Sequence, residues 1–246
     1  MALALVLASC GGEDRGDGYK PPQITVSAAT SLKAAFIAYR QAVPGADVRY
    51  SFAGSDQLAA QIRAGVRPDV YAAANTKLPG ALFAAGLVER PLVFAANRLV
   101  LAVPAGSRRV RSLADLGRKG VTVVTGSAGV PVGSYTAEVL SRLPTGERRA
   151  ILANVRSREP DVGGIVGKLT QGAADAGFVY ATDVRATGGR LRAIALPARL
   201  RPRVEYAAAV VKGGGSRVDA RRFVRGLLST AGRRALFAAG FIVARP

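Results

Sequence analysis

Segments with the pattern of β-strands alternate with segments of helical spacing along most of this 246-residue chain. Strand-like runs lie at 24–26, 47–52, 69–74, 97–104, 121–125, 176–180, 191–196 and 204–211. Stretches in which apolar residues recur with helical spacing lie at 31–43, 55–64, 76–85, 112–116, 133–143, 161–170 and 217–239. Strands that alternate with helices form βαβ units with a parallel sheet, so the sequence predicts an α/β fold.

The elements form two series of about one hundred residues each, which predicts two lobes. Two apolar runs, at 97–104 and 204–211, are the best candidates for strands that cross between the lobes. We therefore predict a discontinuous first lobe, 23–102 with 207–246, and a second lobe, 103–206. In such sheets, ligands bind where the carboxyl ends of strands meet the N-termini of helices.

The composition excludes several kinds of chemistry. The chain has no histidine, which removes Ser-His-Asp and Cys-His catalysis and His-ligated zinc or haem. Its single cysteine permits neither an intrachain disulfide nor a Cys-rich metal cluster. The formal charge of +19 suits an anionic partner. The basic residues are scattered and lack an aromatic stacking platform, so we predict no nucleic-acid partner.

The first residues have the pattern of a secretory signal. Residues 1–9 read MALALVLAS, an apolar run too short to span a bilayer, and Cys10 follows directly. Leu7-Ala8-Ser9-Cys10 resembles a bacterial lipobox, so we predict a lipoprotein signal segment at 1–10 that ends at a lipidated Cys10. Residues 11–22 (GGEDRGDGYKPP) have the composition of a flexible tether. The alternative is a buried structural cysteine.

Hydroxyl and small residues occupy several strand-to-helix junctions. Ser31 and Ser55 each lie between a predicted strand and a predicted helix, at a predicted N-cap. Backbone N–H groups are unpaired there and the helix dipole favours an anion, which predicts an oxyanion site unless each serine merely caps its helix. In the second series, Val132 and Val162 lie at helix starts and offer only backbone N–H groups. Tyr180 ends a strand, where it either donates its phenolic O–H or fills the core.

Six stretches, in register over 24–242, match one known family. They are AATSLKAAF at 28–36, SFAGSDQLAAQIRAGVRPDVYAAAN at 51–75, NRLVLAVP at 97–104, GVPVGSYTAEVL at 129–140, EPDVGGIVGKLTQGAADAGFVYATD at 159–183 and VEYAAAVV at 204–211. They resemble the periplasmic molybdate-binding proteins of bacterial ABC importers. The resemblance implies a type II periplasmic-binding-protein clamshell, in which each lobe is a mainly parallel sheet flanked by helices and the ligand lies in the interlobe cleft.

The resemblance also implies a function and a site. It implies a monomeric extracytoplasmic protein that captures molybdate or tungstate and delivers it to an ABC permease, without catalysis and without a cofactor. Neutral donors would contact the oxygens of the oxyanion, with no direct bond to the metal. The residues that match the family's donors are Ser31, Ser55, Val132, Val162 and Tyr180.

This sequence departs from the family at a few positions near the predicted site. Gly126-Ser127 and Gly163 stand where an aspartate and an arginine are common, and Gly54-Ser55 stands in place of a pair of serines. Asn75 stands where an acid often ends the strand. The donor set is largely intact, but another tetrahedral oxyanion, such as sulfate, phosphate or a phosphonate, remains the alternative ligand.

An enzyme is the main alternative from another class. Four aspartates are available for acid–base catalysis, namely Asp69, Asp161, Asp175 and Asp183. None has a base partner at a recognisable spacing. Asp161 is better explained as a helix N-cap.

Overall fold

The computed structural model describes residues 23–40 and 47–243, which fold into two five-stranded sheets flanked by helices. The predicted signal segment 1–10, with Cys10, and the predicted tether 11–22 lie outside the described residues. Within residues 23–40 and 47–243, no helix is long and apolar enough to cross a membrane.

The first sheet has the strand order β2-β1-β3-β10-β4. Its strands are β1 (Gln23–Ala29), β2 (Asp47–Ala53), β3 (Val70–Ala73), β4 (Leu92–Asn97) and β10 (Val204–Val210). Its helices are α1 (Lys33–Arg40), α2 (Ser55–Arg63), α3 (Lys77–Ala84), α8 (Arg217–Gly226) and α9 (Thr230–Ala238). We call this unit the first lobe.

The second sheet has the strand order β7-β6-β8-β5-β9. Its strands are β5 (Leu99–Pro104), β6 (Val123–Gly126), β7 (Val155–Glu159), β8 (Ala176–Tyr180) and β9 (Leu191–Ala195). Its helices are α4 (Pro131–Ser141), α5 (Thr145–Ala153), α6 (Val162–Thr170) and α7 (Ala181–Ala186). We call this unit the second lobe.

Each sheet is mainly parallel, with one strand reversed. In the first lobe, β10 is antiparallel to both of its neighbours, and in the second lobe β5 is antiparallel to both of its neighbours. The remaining strands within each sheet run in one direction. The reversed strands are those that enter a sheet directly from the other lobe. The mainly parallel α/β fold predicted from the sequence is confirmed.

Strand pairing places the crossings slightly earlier in the chain than the predicted lobe boundaries. Asn97 ends β4 in the first sheet and Leu99 begins β5 in the second, so the chain changes lobe at Arg98. The return falls between Ala195 and Val204. The predicted boundaries at 102/103 and 206/207 therefore fall inside β5 and β10, because an apolar run does not reveal which of two sheets pairs with it.

The sequence pattern missed four elements: β4, α5, β7 and α7. β7 reads VRSRE and alternates between half-buried and exposed residues at the edge of its sheet, so it lacks an apolar strand signal. α7 follows β8 without a loop. The helix predicted at 31–43 begins as a 3-10 turn, Thr30–Leu32, before the α-helix Lys33–Arg40.

The two lobes share a continuous apolar core. At its centre, the ring of Tyr180 at the end of β8 meets the ring of Tyr206 in β10 edge-on, with the centroids 5.8 Å apart. Edge-to-face packing is a favourable geometry for aromatic rings. This contact brings the carboxyl end of a strand in the second lobe against the first lobe, where the helix starts of both lobes converge.

Candidate functional site

A small cavity of about 20 Å³ lies where the two lobes meet. All five residues predicted as donors line it, together with small or apolar neighbours and one acid. The lining residues are Ala29, Thr30, Ser31, Ala53, Gly54, Ser55, Ala74, Val130, Pro131, Val132, Asp161, Val162 and Tyr180. Other pockets of the described chain have volumes of 240 to 660 Å³. A space this small suits a compact ion better than an organic molecule.

The two serines are buried in the cavity wall and do not cap their helices. Ser31 lies inside the 3-10 turn, and Ser55 is the first residue of α2, after Gly54 at the N-cap. Neither helix start has a side-chain cap, so the predicted N-cap position of both serines is wrong. Their hydroxyls instead bond to groups outside their own helices, Ser31 to Tyr206 and Ser55 to Ala74, which removes the explanation that they serve only as caps.

The hydrogen bond of Ser55 leaves its proton available. Its Oγ accepts a bond of 3.1 Å from the backbone N–H of Ala74, at the end of the neighbouring strand. A hydroxyl has a single proton, and accepting a bond does not use it. Ser55, only 2% exposed, can therefore donate to an acceptor in the cavity.

Val132 and Val162 present backbone N–H groups at the starts of two helices. Val132 follows Pro131, the first residue of α4, and Val162 is the first residue of α6. N–H groups of the first helical turn have no partner within the helix, and the helix dipole adds partial positive charge there. Because α2 also starts at the cavity, three helix N-termini meet around it.

Tyr180 has a buried phenol with no hydrogen-bond partner among the described residues. Its side chain is 1% exposed and borders the cavity. Burial raises the pKa of the Tyr180 phenol well above its ordinary value, so the phenol keeps its proton. An unpaired buried hydroxyl costs about 1–3 kcal/mol, which a ligand that accepts a hydrogen bond from it would recover.

Two further residues of the site were not predicted from the sequence. The hydroxyl of Thr30, next to Ser31, is buried, borders the cavity and has no partner among the described residues. Tyr206 lies behind Ser31, and their hydroxyl oxygens are 2.8 Å apart. Thr30 could have been predicted from the sequence, because it lies beside Ser31 in the strand-to-helix junction Ala-Ala-Thr-Ser. Nothing local indicated Tyr206, which is distant in sequence from its partner.

The cavity wall carries no basic side chain within the described part of the chain. Its acid, Asp161, caps α6 as predicted, because Oδ1 accepts a bond of 3.1 Å from the N–H of Gly164. Asp183 lies just behind the cavity, and burial raises the pKa of its carboxyl to about 7. Burial therefore disfavours the negative charge of Asp183. The positive field at the cavity comes from helix termini rather than from cations.

The aspartates considered as catalytic acids are all engaged in structural hydrogen bonds. Each accepts a bond from a backbone N–H: Asp69 from Thr25 and Ser216, Asp161 from Gly164, Asp175 from Thr122, and Asp183 from Tyr180. No group of three acidic, cysteine or histidine side chains that could hold a metal ion occurs within residues 23–40 and 47–243. Apart from Asp161, which caps α6, the polar groups that line the small cavity are neutral hydrogen-bond donors, a set that fits the binding of an anion.

Comparison with known proteins defines the class. Residues 24–242 match the family model of the bacterial extracellular solute-binding proteins. The chain belongs to this family.

Three individual proteins that are similar to this chain give a more specific comparison than the family model. The molybdate-binding protein ModA of Mycobacterium tuberculosis H37Rv is 34% identical over 250 residues, which covers 97% of this chain and 94% of that protein. The substrate-binding domain of a putative molybdenum ABC transporter from Clostridium difficile is 25% identical, with a TM-score of 0.67, and covers 91% of this chain and 99% of that one. The periplasmic molybdate-binding protein of Azotobacter vinelandii shares the fold with a TM-score of 0.80, at 22% identity, over 90% of this chain and all of that one. The family predicted from the sequence is confirmed.

Proposed function

We propose that this protein captures molybdate or tungstate outside the cytoplasm and delivers it to an ABC permease. The observation that carries the proposal is the convergence of hydroxyls and helix N-termini on one small cavity, where the Tyr180 phenol has no hydrogen-bond partner within residues 23–40 and 47–243. The Mycobacterium tuberculosis relative is named a molybdate-binding protein and matches 97% of this chain, which supports molybdate over other oxyanions as the ligand. We infer binding without catalysis, because the four aspartates considered as acid–base groups all accept structural hydrogen bonds.

Ser31, Ser55, Val132, Val162 and Tyr180 are the proposed donors to the oxyanion. A fully deprotonated oxyanion only accepts hydrogen bonds, so Ser31 must donate to it and accept a hydrogen bond from the Tyr206 hydroxyl in turn. Burial raises the pKa of the Tyr206 phenol well above its ordinary value, which keeps that proton in place. The donors contact oxygen atoms, with no bond to the metal and no cofactor. All five lie on one chain, so a monomer suffices.

Neutral donors suit a buried dianion for two reasons. Ion pairs with lysine or arginine would add a desolvation cost that can cancel their attraction, whereas helix termini supply a field without full charges. The five proposed contacts are all donors, and the acid of the wall, Asp161, is engaged in capping α6, so protonated phosphate is penalised because its O–H finds no acceptor among them. Molybdate and tungstate are larger than sulfate and equal to it in charge, so selection against sulfate rests on the size of the cavity.

Thermal melting with single anions tests the proposal. Ligand at 100 times its Kd adds about 2.7 kcal/mol of stability, which corresponds to a rise in Tm of roughly 5–10 °C for a chain of this size. We expect this rise with molybdate and tungstate, and little with sulfate or phosphate at equal concentration. A clear rise with sulfate and none with molybdate or tungstate would contradict the assignment in favour of the alternative oxyanion.

Lipidation of Cys10 is the proposed means of attachment to the membrane, through a tether at 11–22. The lipobox-like Leu7-Ala8-Ser9-Cys10 supports it. When the full chain is expressed in a bacterium that processes lipoproteins, the protein is expected in the membrane fraction. The Cys10→Ser variant is expected in the soluble fraction, with unchanged anion binding. If both proteins fractionate alike, Cys10 is not the anchor.

A further inference from the structure

Three glycines face the opposite lobe: Gly54 lines the cavity, and Gly129 and Gly163 are next in sequence to residues that line it. Gly54 belongs to the first lobe, and a β-carbon built on it would lie 2.5 Å from the carbonyl oxygen of Pro160 in the second and 2.9 Å from Oδ1 of Asp56 in its own lobe. A β-carbon on Gly163 of the second lobe would lie 3.0 Å from Cγ2 of Thr30 in the first and 2.9 Å from Oδ1 of Asp161 in its own lobe. A β-carbon on Gly129 would lie 3.2 Å from Oδ2 of Asp56. The two lobes therefore approach one another closely at positions where glycine has no side chain.

Local backbone conformation does not explain these glycines. None of the three has a positive φ, and Gly54 has φ −58° and ψ 135°, a region open to every residue type. Gly54 occupies the N-cap of α2, where serine, aspartate or asparagine would stabilise the helix more. Gly163 lies in the first turn of α6, where alanine has the higher helix propensity. What glycine supplies here is close approach of the two lobes.

The approach matters because the proposed donors are divided between the lobes. Ser31 and Ser55 come from the first lobe, and Val132, Val162 and Tyr180 come from the second. Hydrogen bonds to a charged acceptor are about 2.7–2.9 Å long, and a separation of about 3.6 Å is no longer a hydrogen bond. An opening of about 1 Å would therefore deprive the ion of its donors on one side.

We propose that Gly54 and Gly163 are positioning residues that let the two lobes close to van der Waals contact around the oxyanion. A methyl group at either position would hold the lobes apart and weaken binding without altering a donor. The effect is strongest at Gly54, because the atom in its way is a backbone carbonyl of the other lobe, which cannot rotate aside as a side chain can. This inference rests on the function proposed above.

The chain offers a matched control one turn further along the same helix. A β-carbon on Gly167 of α6 would meet no atom within 4 Å, and the same holds for Gly80 of α3. Neither glycine has a positive φ. Gly167→Ala and Gly80→Ala therefore repeat the chemical change in a helix without blocking closure.

The test combines calorimetric titration, melting without ligand and small-angle X-ray scattering with saturating anion. Gly54→Ala is expected to raise the Kd for molybdate about tenfold or more, and to leave the liganded protein with a larger radius of gyration than the unaltered chain. Its Tm without ligand is expected to stay equal or rise, since replacing glycine removes freedom from the unfolded chain. Gly163→Ala should act in the same direction, and both controls should bind within twofold of the unaltered chain.

Two results would overturn the inference. One is a Gly54→Ala variant that binds and closes like Gly167→Ala. The other is a loss of Tm without ligand as large as the loss of binding, which would indicate a merely structural role. Failure of the unaltered chain to bind molybdate would contradict the proposed function instead. The same titrations with the anion that does stabilise the chain would then test the glycines.

Discussion

The double variant Ser31→Ala/Ser55→Ala is expected to lose the rise in Tm that molybdate produces. Each serine is proposed to donate a hydrogen bond to a charged acceptor, and such bonds contribute about 1.5–3 kcal/mol. Losing both, with the ion still buried, weakens binding by about two to four orders of magnitude. Isothermal titration calorimetry measures the Kd, and each single variant should lie between the unaltered chain and the double variant.

A serine that does cap a helix provides the control. Ser229 is the N-cap of α9 and accepts a bond of 3.2 Å from the N–H of Gly232, away from the cavity. Ser229→Ala is expected to lower stability by about 1 kcal/mol and to leave the Kd unchanged. If the double variant behaves in this way, with lower stability and intact binding, Ser31 and Ser55 are structural and the proposed donor set is wrong.

Tyr180→Phe is expected to change stability and binding in opposite directions. The phenol is buried without a partner among the described residues, so its removal should leave the Tm without ligand equal or higher. The same change removes a donor to the oxyanion, and the Kd for molybdate should rise about ten- to hundredfold. Melting without ligand and calorimetric titration measure the two effects on the same preparation.

Tyr39→Phe is the matched control for this variant. Tyr39 lies in the core of the first lobe and donates a bond of 3.1 Å to the backbone carbonyl of Phe223. Its loss should lower the Tm and leave the Kd unchanged, the reverse of the pattern expected for Tyr180→Phe. A Tyr180→Phe variant that loses stability and keeps its affinity would show that Tyr180 only fills the core.

The fold could be predicted from the sequence where its signals are local. Alternating apolar strands and amphipathic helices gave the α/β class, and the two long apolar runs marked the crossings between lobes. The exact crossing at Arg98 could not be predicted, because only this one residue separates β4 from β5 and the pattern of each strand does not show that they belong to different sheets. The edge strand β7 escaped prediction because its exposure leaves it polar.

The residues of the site could likewise be predicted where they lie in a local sequence pattern, and not where they depend on a contact between distant segments. Ser55 and Tyr180 lie at strand-to-helix junctions, which the sequence marks, and the resemblance to a known family narrowed the choice among such junctions. The partnership of Ser31 with Tyr206 joins β10 to the turn after β1, and no pattern within either segment indicates it. The role of Gly54 was also hidden, because a missing side chain acquires meaning only when the opposing backbone of Pro160 is in place.

The position of the metal atom in crystals grown with molybdate tests the central claim most directly. An anomalous difference map recorded at the molybdenum absorption edge locates that atom without reference to the protein. We expect one strong peak in the interlobe cavity, with its oxygens about 2.7–2.9 Å from the hydroxyls of Ser31, Ser55 and Tyr180 and from the N–H groups of Val132 and Val162. Peaks only against exposed arginines such as Arg108, with none in the cavity, would contradict the account.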